Sequence, residues 1–420
     1  MPDDRDTFRA VAWREVFPGL HLLSAVRLAL NFRAMTLALL AIVLTSAGWH
    51  VCGQLFSNTQ NLGLQAQIEQ HSIWPWQRPL MYVHAEDLTT LRGWREETPF
   101  LVAWRELSAP FEQIFRPDIS LAQWAYWLLG ALWTLAVWAL AGGAITRLAA
   151  VSFALQENVS WRQLAGFVRP KWVGYFTAPL LPMLATFLAA AFLCVVGLLM
   201  RTGGGLLLAG IVWPLVLVIG FLMAFLLLVL FAGWPLMWGA ISVEGTDAFG
   251  ALSHSYSYAY QRPLRYLGYV ILAALVGLLG WFIVATFAAW ILNLSQWGIS
   301  WGSGQERLLE VTNGSDMGSM ADLGMELISF WNGCLIMLTL AFVYSYFWSA
   351  STVIYFLLRR LVDATEIDEV SQGAQTDPHG LPPLKTSSDG VAEPADDVAL
   401  AGTADLTSND RTGNAEQRAE

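Results

Sequence analysis

From Gly203 to Val243 the chain carries no ionisable side chain. A run of this kind has few places to go. In lipid every backbone donor and acceptor must be satisfied within the segment, which leaves a helix. As one straight helix it would be ~60 Å long, about twice the hydrocarbon thickness of a bilayer. It is therefore either two short spans or one tilted span with an interfacial lead-in. Charge discriminates, because cytoplasmic loops near span ends collect Lys and Arg. With one span, segments 1–33, 145–173, 242–265 and 359–360 share a side and hold 13 basic residues against 7 opposite. A hairpin would send Arg262, Arg265, Arg359 and Arg360 outside and break that bias. The expectation is one span over about Val212–Ser242, with Pro214 near its outer end and Pro235 kinking its inner part.

Five more apolar runs follow the same logic, near Ala34–Val51, Trp124–Ile145, Tyr175–Met200, Leu264–Leu292 and Leu327–Leu358. The fold class expected is all-α: a polytopic membrane bundle of six transmembrane helices with interfacial amphipathic helices. Both termini fall in the cytoplasm, and the membrane expected is the bacterial inner membrane. Only 13% of residues are charged, about half the share of a soluble domain. The 21 tryptophans suit a chain that crosses two headgroup layers repeatedly.

The formal charge of −10 belongs to one region. Residues 361–420 hold 13 acids and 3 bases, so residues 1–360 are neutral. A nucleic-acid binder needs a basic face, and none is present. Beyond Val370 the composition turns to Ala, Asp, Gly, Pro, Ser and Thr, which cannot bury enough apolar surface to offset ordering entropy. Residues 361–420 are expected to be a disordered acidic cytoplasmic tail. Residues 1–33 read as an amphipathic cytoplasmic lead-in, with Leu22, Val26 and Leu30 on one side. Residues 34–360 form the membrane domain. Within it 54–121 is an extracytoplasmic insertion, with helices near 61–70 and 99–115 lying along the membrane. Cys52, Cys194 and Cys334 are too scattered for a disulfide framework or a metal site.

Two span starts match. Arg169-Pro170-Lys171-Trp172-Val173-Gly174-Tyr175 and Arg262-Pro263-Leu264-Arg265-Tyr266-Leu267-Gly268-Tyr269 both run Arg-Pro, basic, aromatic, aliphatic, Gly, Tyr, with one residue of slippage. Each follows a small-residue span end, Gly143-Ala144-Ile145-Thr146 or Gly239-Ala240-Ile241-Ser242. Each also follows an amphipathic stretch with a start signal. Ser160 and Gln163 make a capping box, and Thr246 caps a helix whose stripe is Phe249, Leu252, Tyr256 and Tyr260. The unit would be a surface helix plus an out-and-back hairpin, with the N-terminal lead-in as a third copy. All copies point the same way, about an axis along the membrane normal. The other reading is convergence, two interfaces built to one recipe. In either case Arg169, Lys171, Trp172, Arg262, Arg265 and Tyr266 are the candidate interfacial, lipid-contacting residues.

The helix AFGALSHSYSY, with Ala251, Leu252, Ser255 and Tyr256 as its signature, resembles the membrane domains associated with glycerophosphodiester phosphodiesterases. AWREVFPGLHLL, RPLRYLGY and SYFWSASTVIYFLLRR are similar to segments of an uncharacterised bacterial multi-pass membrane protein family. The resemblance implies span-plus-surface-helix architecture over about residues 120–360. It implies no phosphodiesterase activity, since no catalytic domain accompanies it.

Chemistry is sparse. The middle thirds of the spans hold no Asp, Glu, His or paired charge, which disfavours ion-coupled transport. His71, His84, Glu86 and Asp87 form the best metal-like cluster but lack a recognised spacing. Ser253 and His254, adjacent on a helix, point apart and make a poor nucleophile–base pair. No cofactor is expected, and the partners expected are membrane lipids. The reading is a non-enzymatic scaffold or accessory component. The alternative is a permease- or flippase-like conduit for a lipophilic or lipid-linked solute, marked by a lateral cleft with polar side chains such as Asn332, Ser345 and Ser349. An enzyme acting on lipid headgroups would need the four outer-loop residues to converge.

Overall fold

The computed structural model describes residues 13–58, 62–79, 98–116, 118–304, 319–371, 384–386 and 392–394. A short helix α1 (Trp13–Val16) and a 3-10 turn (Pro18–Leu22) lead into α2 (Leu23–Ala29) and α3 (Phe32–Phe56). Then come α4 (Leu62–His71), a 3-10 turn (Pro75–Gln77), α5 (Pro99–Ile114) and α6 (Leu121–Ala154). The rest of the bundle is α7 (Trp161–Thr177), α8 (Leu180–Leu199), α9 (Gly203–Glu244), α10 (Ala248–Gln261), α11 (Pro263–Ser303) and α12 (Ser319–Asp363). Contacts divide the chain into Met1–Ser371 and Gln372–Glu420. In the second unit, β1 (Leu384–Thr386) pairs antiparallel with β2 (Ala392–Pro394). The remainder of the expected disordered tail beyond Ser371 lies outside the described residues.

Polar caps set the helix starts. Asn31 accepts from the Arg33 amide, Thr202 from Gly205 and Asp247 from Gly250, while Ser120 and Ser160 each form capping boxes with the Gln three residues on. The cap of α10 is thus Asp247, one residue after the Thr expected, in line with the stronger capping tendency of Asp. Six helices are long and apolar enough to cross a membrane: Phe32–Phe56, Leu121–Ala154, Trp161–Leu199, Gly203–Glu244, Pro263–Ser303 and Met320–Asp363. The chain is an all-α, multi-pass membrane protein. The run without ionisable groups is one unbroken helix, α9, of 42 residues. Pro214 and Pro235 lie inside it, and it ends at Gly245, whose φ of 72° favours glycine.

Three of these helices, α6, α9 and α12, pack on one another in matching register. Setting Thr146, Ser242 and Thr352 as equivalent, the positions four residues earlier are Gly142, Trp238 and Trp348. The two indoles stack with centroids 4.2 Å apart. A Cβ on Gly142 would come within 2.5 Å of Trp238 and 2.8 Å of Trp348. Glycine is what lets the third helix reach the stack.

The lead-in helices close this arrangement into a ring. α7 lies against α6, α10 against α9, and α2 against α12. The matching aromatics do matching work: Trp172 Nε1 donates to the Ala136 carbonyl (3.2 Å), and the Tyr266 hydroxyl donates to the Ala232 carbonyl. Ala136 and Ala232 are equivalent positions, each ten residues before Thr146 or Ser242. At the third junction Ser345 Oγ donates to the Ala29 carbonyl (2.8 Å).

The lead-ins therefore fold back along the bundle rather than resting flat on its surface. α10 buries Ala251, Ser255 and Tyr258, with Ser255 Oγ donating to the Gly233 carbonyl (2.8 Å). Phe249 and Tyr260 of the expected stripe are exposed. In α2 the buried residues are Ala25, Leu28 and Ala29, and Leu30 is exposed. Small residues allow close helix approach, and next to lipid that decides the inner face more than hydrophobicity does. Pro170 lies inside α7, whereas the chain breaks at Arg262 before Pro263.

The helix α5 appears at the place expected but is wedged into the bundle. Phe100 packs on Phe347 (5.2 Å between centroids) and Trp104 on both Phe231 and Phe347. Toward the other end, α8, the first half of α9 and the last half of α11 expose Leu188, Phe192, Ile211, Phe221, Phe287 and Trp290. This is the surface a bilayer would cover.

Candidate functional site

Where α5 enters the ring it leaves a half-enclosed chamber of about 490 Å³ between α5, α6, α8 and α9. Trp138, Trp234, Trp238 and Trp348 line it, together with Met183 and Leu227. The walls are almost wholly apolar. Ser108 and Glu112 line it from α5, with Ser108 Oγ donating to Glu112 Oε1 at 3.0 Å. A second recess of about 690 Å³ lies between α5, α9, α10 and α11 and shares Leu228 and Phe231 with the first. Both volumes fall in the range of small-molecule and lipid sites. Neither brings together an acid, a base and a nucleophile. What such an arrangement can do is hold an apolar chain.

A second feature is polar and closes the C-terminus of α9. The last turn of a helix leaves carbonyls without partners. Here Gly245 N donates to Ile241, Arg147 to Ser242 (2.7 Å), Ser371 N to Val243 (2.8 Å) and Lys171 to Gly245. Arg147 is 6% exposed and lies over the Phe167 ring, 3.8 Å from its centroid. No carboxylate pairs with Arg147 among the described residues, so the negative end of the helix is its partner. Beside it, Thr146 Oγ1 donates to the Gly143 carbonyl (3.0 Å), lies 2.6 Å from Ser242 Oγ, and Tyr175 Oη is 2.7 Å beyond. With one proton each, the only closed assignment runs Tyr175 to Ser242 to Thr146 to Gly143. All three protons are used, so the chain is a staple between α6, α7 and α9 and has no donor left over. Glu244 next to it meets Arg359 (3.3 Å), His254 (3.5 Å) and the Tyr355 hydroxyl.

Of the candidate lipid-contact residues, Arg169, Arg262 and Arg265 are exposed. Lys171 and Trp172 are half-buried and Tyr266 is buried, and all three are committed to backbone carbonyls. They fasten helices, and the six do not converge on one site. No family model, curated protein or solved structure matches this chain. What can be said of it rests on its own residues.

The other candidates separate in the same way. His71 packs on Trp49, Tyr126 and Trp127, and its Nδ1 is 2.8 Å from the Gln67 carbonyl. Burial holds its pKa below the ordinary histidine value. His84, Glu86 and Asp87 lie outside the described residues. Among the described residues no group of three or more metal-ligating side chains occurs. Asn332, Ser345 and Ser349 line neither recess.

Sequence reasoning missed one acid. Although the spans lack carboxylates at mid-length, α5 brings Glu106 to Tyr344, near the middle of α12, whose hydroxyl donates to Glu106 Oε2 at 2.5 Å. Arg78 is 3.9 Å from the same oxygen. The signal was the stripe Phe100, Ala103, Trp104, Leu107 and Ile114, a core-facing spacing that would have set α5 inside the bundle.

Proposed function

We propose that this chain is a non-enzymatic membrane protein that holds lipid in an intramembrane chamber, as a scaffold or accessory component. Its place is the bacterial inner membrane with both termini cytoplasmic. The observation that carries the reading is the tryptophan-walled chamber, set beside the broad apolar surface of α8 and α9. The arginine bias supports the orientation, with Arg33, Arg147, Arg169, Arg262 and Arg359 all near one set of helix ends.

Filling the chamber tests it. The variants Met183→Trp and Leu227→Trp should lose tightly held lipid, read by mass spectrometry of protein purified from native membranes. Equal retention of the same lipids by the wild type and the filled variants would sink the proposal. Cysteines introduced at Ser253 and Ser303 should label from opposite sides.

A second reading, a conduit for a lipophilic solute, is favoured by one detail: the two recesses meet at Leu228 and Phe231. If that partition is a gate, Phe231→Ala accelerates lipid exchange between leaflets of reconstituted vesicles. A rate unchanged from the wild type leaves the scaffold reading alone.

A further inference from the structure

A recess of about 900 Å³ opens among the first 3-10 turn, α2, the end of α6 and the segment 364–368 that follows α12. It shares no residue with the chamber, and its lining is mostly polar. Arg27 and Arg360 line it, and so do Glu366 and Asp368. All four are exposed. Among the described residues none of them pairs with an opposite charge or makes a side-chain hydrogen bond. Two positive and two negative groups thus border one space without meeting. The segment carrying the acids is fastened just beyond them, where Arg359 donates to the Glu369 carbonyl (2.7 Å) and Ser371 N to the Val243 carbonyl (2.8 Å). Gln156 and Ala364, the non-glycine residues with positive φ among those described, also line the recess, each at 56°. Backbone of that kind costs free energy and collects where a site requires it.

The depth of the recess follows from the register of α11 and α12. They run antiparallel, since a Cβ on Gly277 would meet Tyr346 and one on Gly280 would meet Phe342. Pro263 is fourteen residues before Gly277 and Arg360 fourteen after Tyr346, so the two lie at one level. There the exposed apolar surface of α11 begins, at Leu264 and Leu267. Leu23, which lines the recess, and Leu361 beside Arg360 are exposed as well. This is the level of lipid headgroups. A lone anion there would meet Glu366 and Asp368, and a lone cation would meet the arginines. A group carrying both signs complements all four.

We propose that this recess binds a phosphoethanolamine group, its phosphate held by Arg27 and Arg360 and its primary ammonium by Glu366 and Asp368. Guanidinium groups match phosphate oxygens in geometry as well as charge. A primary ammonium brings three donors for the carboxylates.

The test uses the full chain in detergent and lipids of one acyl composition with three headgroups: phosphatidylethanolamine, phosphatidylcholine and phosphatidylglycerol. Binding is read by native mass spectrometry as each is titrated. Phosphatidylethanolamine should bind about tenfold more tightly than the others, since choline has no N–H to donate and glycerol carries no positive charge. Glu366→Gln/Asp368→Asn should abolish the preference over phosphatidylcholine. Arg27→Gln/Arg360→Gln should weaken phosphatidylethanolamine about tenfold. An unchanged melting temperature checks that these surface variants keep the bundle. Competition by O-phosphoethanolamine separates two sources of the same chemistry. Displacement only at far higher concentration assigns a lipid headgroup, and displacement at equal concentration assigns a soluble ligand. Equal binding of the three lipids by the wild type overturns the proposal. So does a preference untouched by the acidic pair, or a phosphatidylethanolamine affinity untouched by the arginine pair. Each of these leaves the chamber reading standing, because the two sites have no residue in common.

Discussion

Replacing Ser242 by Ala removes the middle of the three-hydroxyl staple. Tyr175, 0% exposed, then loses its acceptor at Ser242, and Thr146 loses the proton it received. A hydrogen bond between membrane helices contributes about 0.6 kcal/mol on average and up to ~1.7. A buried donor left unmet costs about 1–3 kcal/mol. The single variant should therefore lose ~2–3 kcal/mol. Tyr175→Phe removes the end of the chain, and Ser242 can still donate to Thr146, so its cost should be only about 0.6–1 kcal/mol. The double variant discriminates. Removing the stranded hydroxyl along with its acceptor should make Ser242→Ala/Tyr175→Phe more stable than Ser242→Ala alone, a favourable coupling of about 1 kcal/mol. Unfolding in mixed micelles titrated with SDS, followed by tryptophan fluorescence, measures each corner of the cycle. A double variant at the sum of the singles, or below it, would refute the proton ordering along the staple.

Other outcomes follow from the packing. Trp172→Phe and Tyr266→Phe delete matching bonds at matching carbonyls, so their losses in the same assay should agree to within about 0.5 kcal/mol. Gly142→Ala drives a methyl into the Trp238–Trp348 stack and should cost about 1–3 kcal/mol, whereas Gly210→Ala meets nothing within 4 Å and should stabilise by about 0.4–1 kcal/mol. His71 has its pKa lowered by burial, so the unfolded chain takes up the proton first. Its contribution is present above the unfolded value of about 6.5 and is lost as pH falls through that value, and His71→Phe should flatten the melting temperature between pH 7 and 5.

The legibility of the chain was uneven for physical reasons. Long apolar runs and the placement of arginine are constraints of the bilayer itself, so the run after Gly203 could be read as one span over about Val212–Ser242, which the helix Gly203–Glu244 contains. Helix starts were legible because Ser120, Ser160 and their glutamines are local chemistry. The attitude of the lead-in helices was not. An amphipathic pattern such as that of α10 is the same whether its partner is a headgroup layer or another helix. Ala251 and Ser255 decide the matter by being small, and that matters only once Gly233 is known to lie opposite. The chamber was illegible too, since Ser108, Met183, Leu227 and Trp348 come from four distant segments. Of the polar residues picked for a cleft, Ser345 is instead occupied in holding the ring closed.

That closure carries a timing consequence for synthesis. The seat of α2 is Ser345, 316 residues downstream of Ala29. At about 5–20 residues per second, roughly 15–60 s pass between the emergence of the two partners. During that interval the opening segment must wait at the membrane surface with its own docking place not yet made. Nascent chains arrested before and after α12 should differ accordingly, with cysteines at Ala29 and Ser345 crosslinking only once the last span has left the translocon.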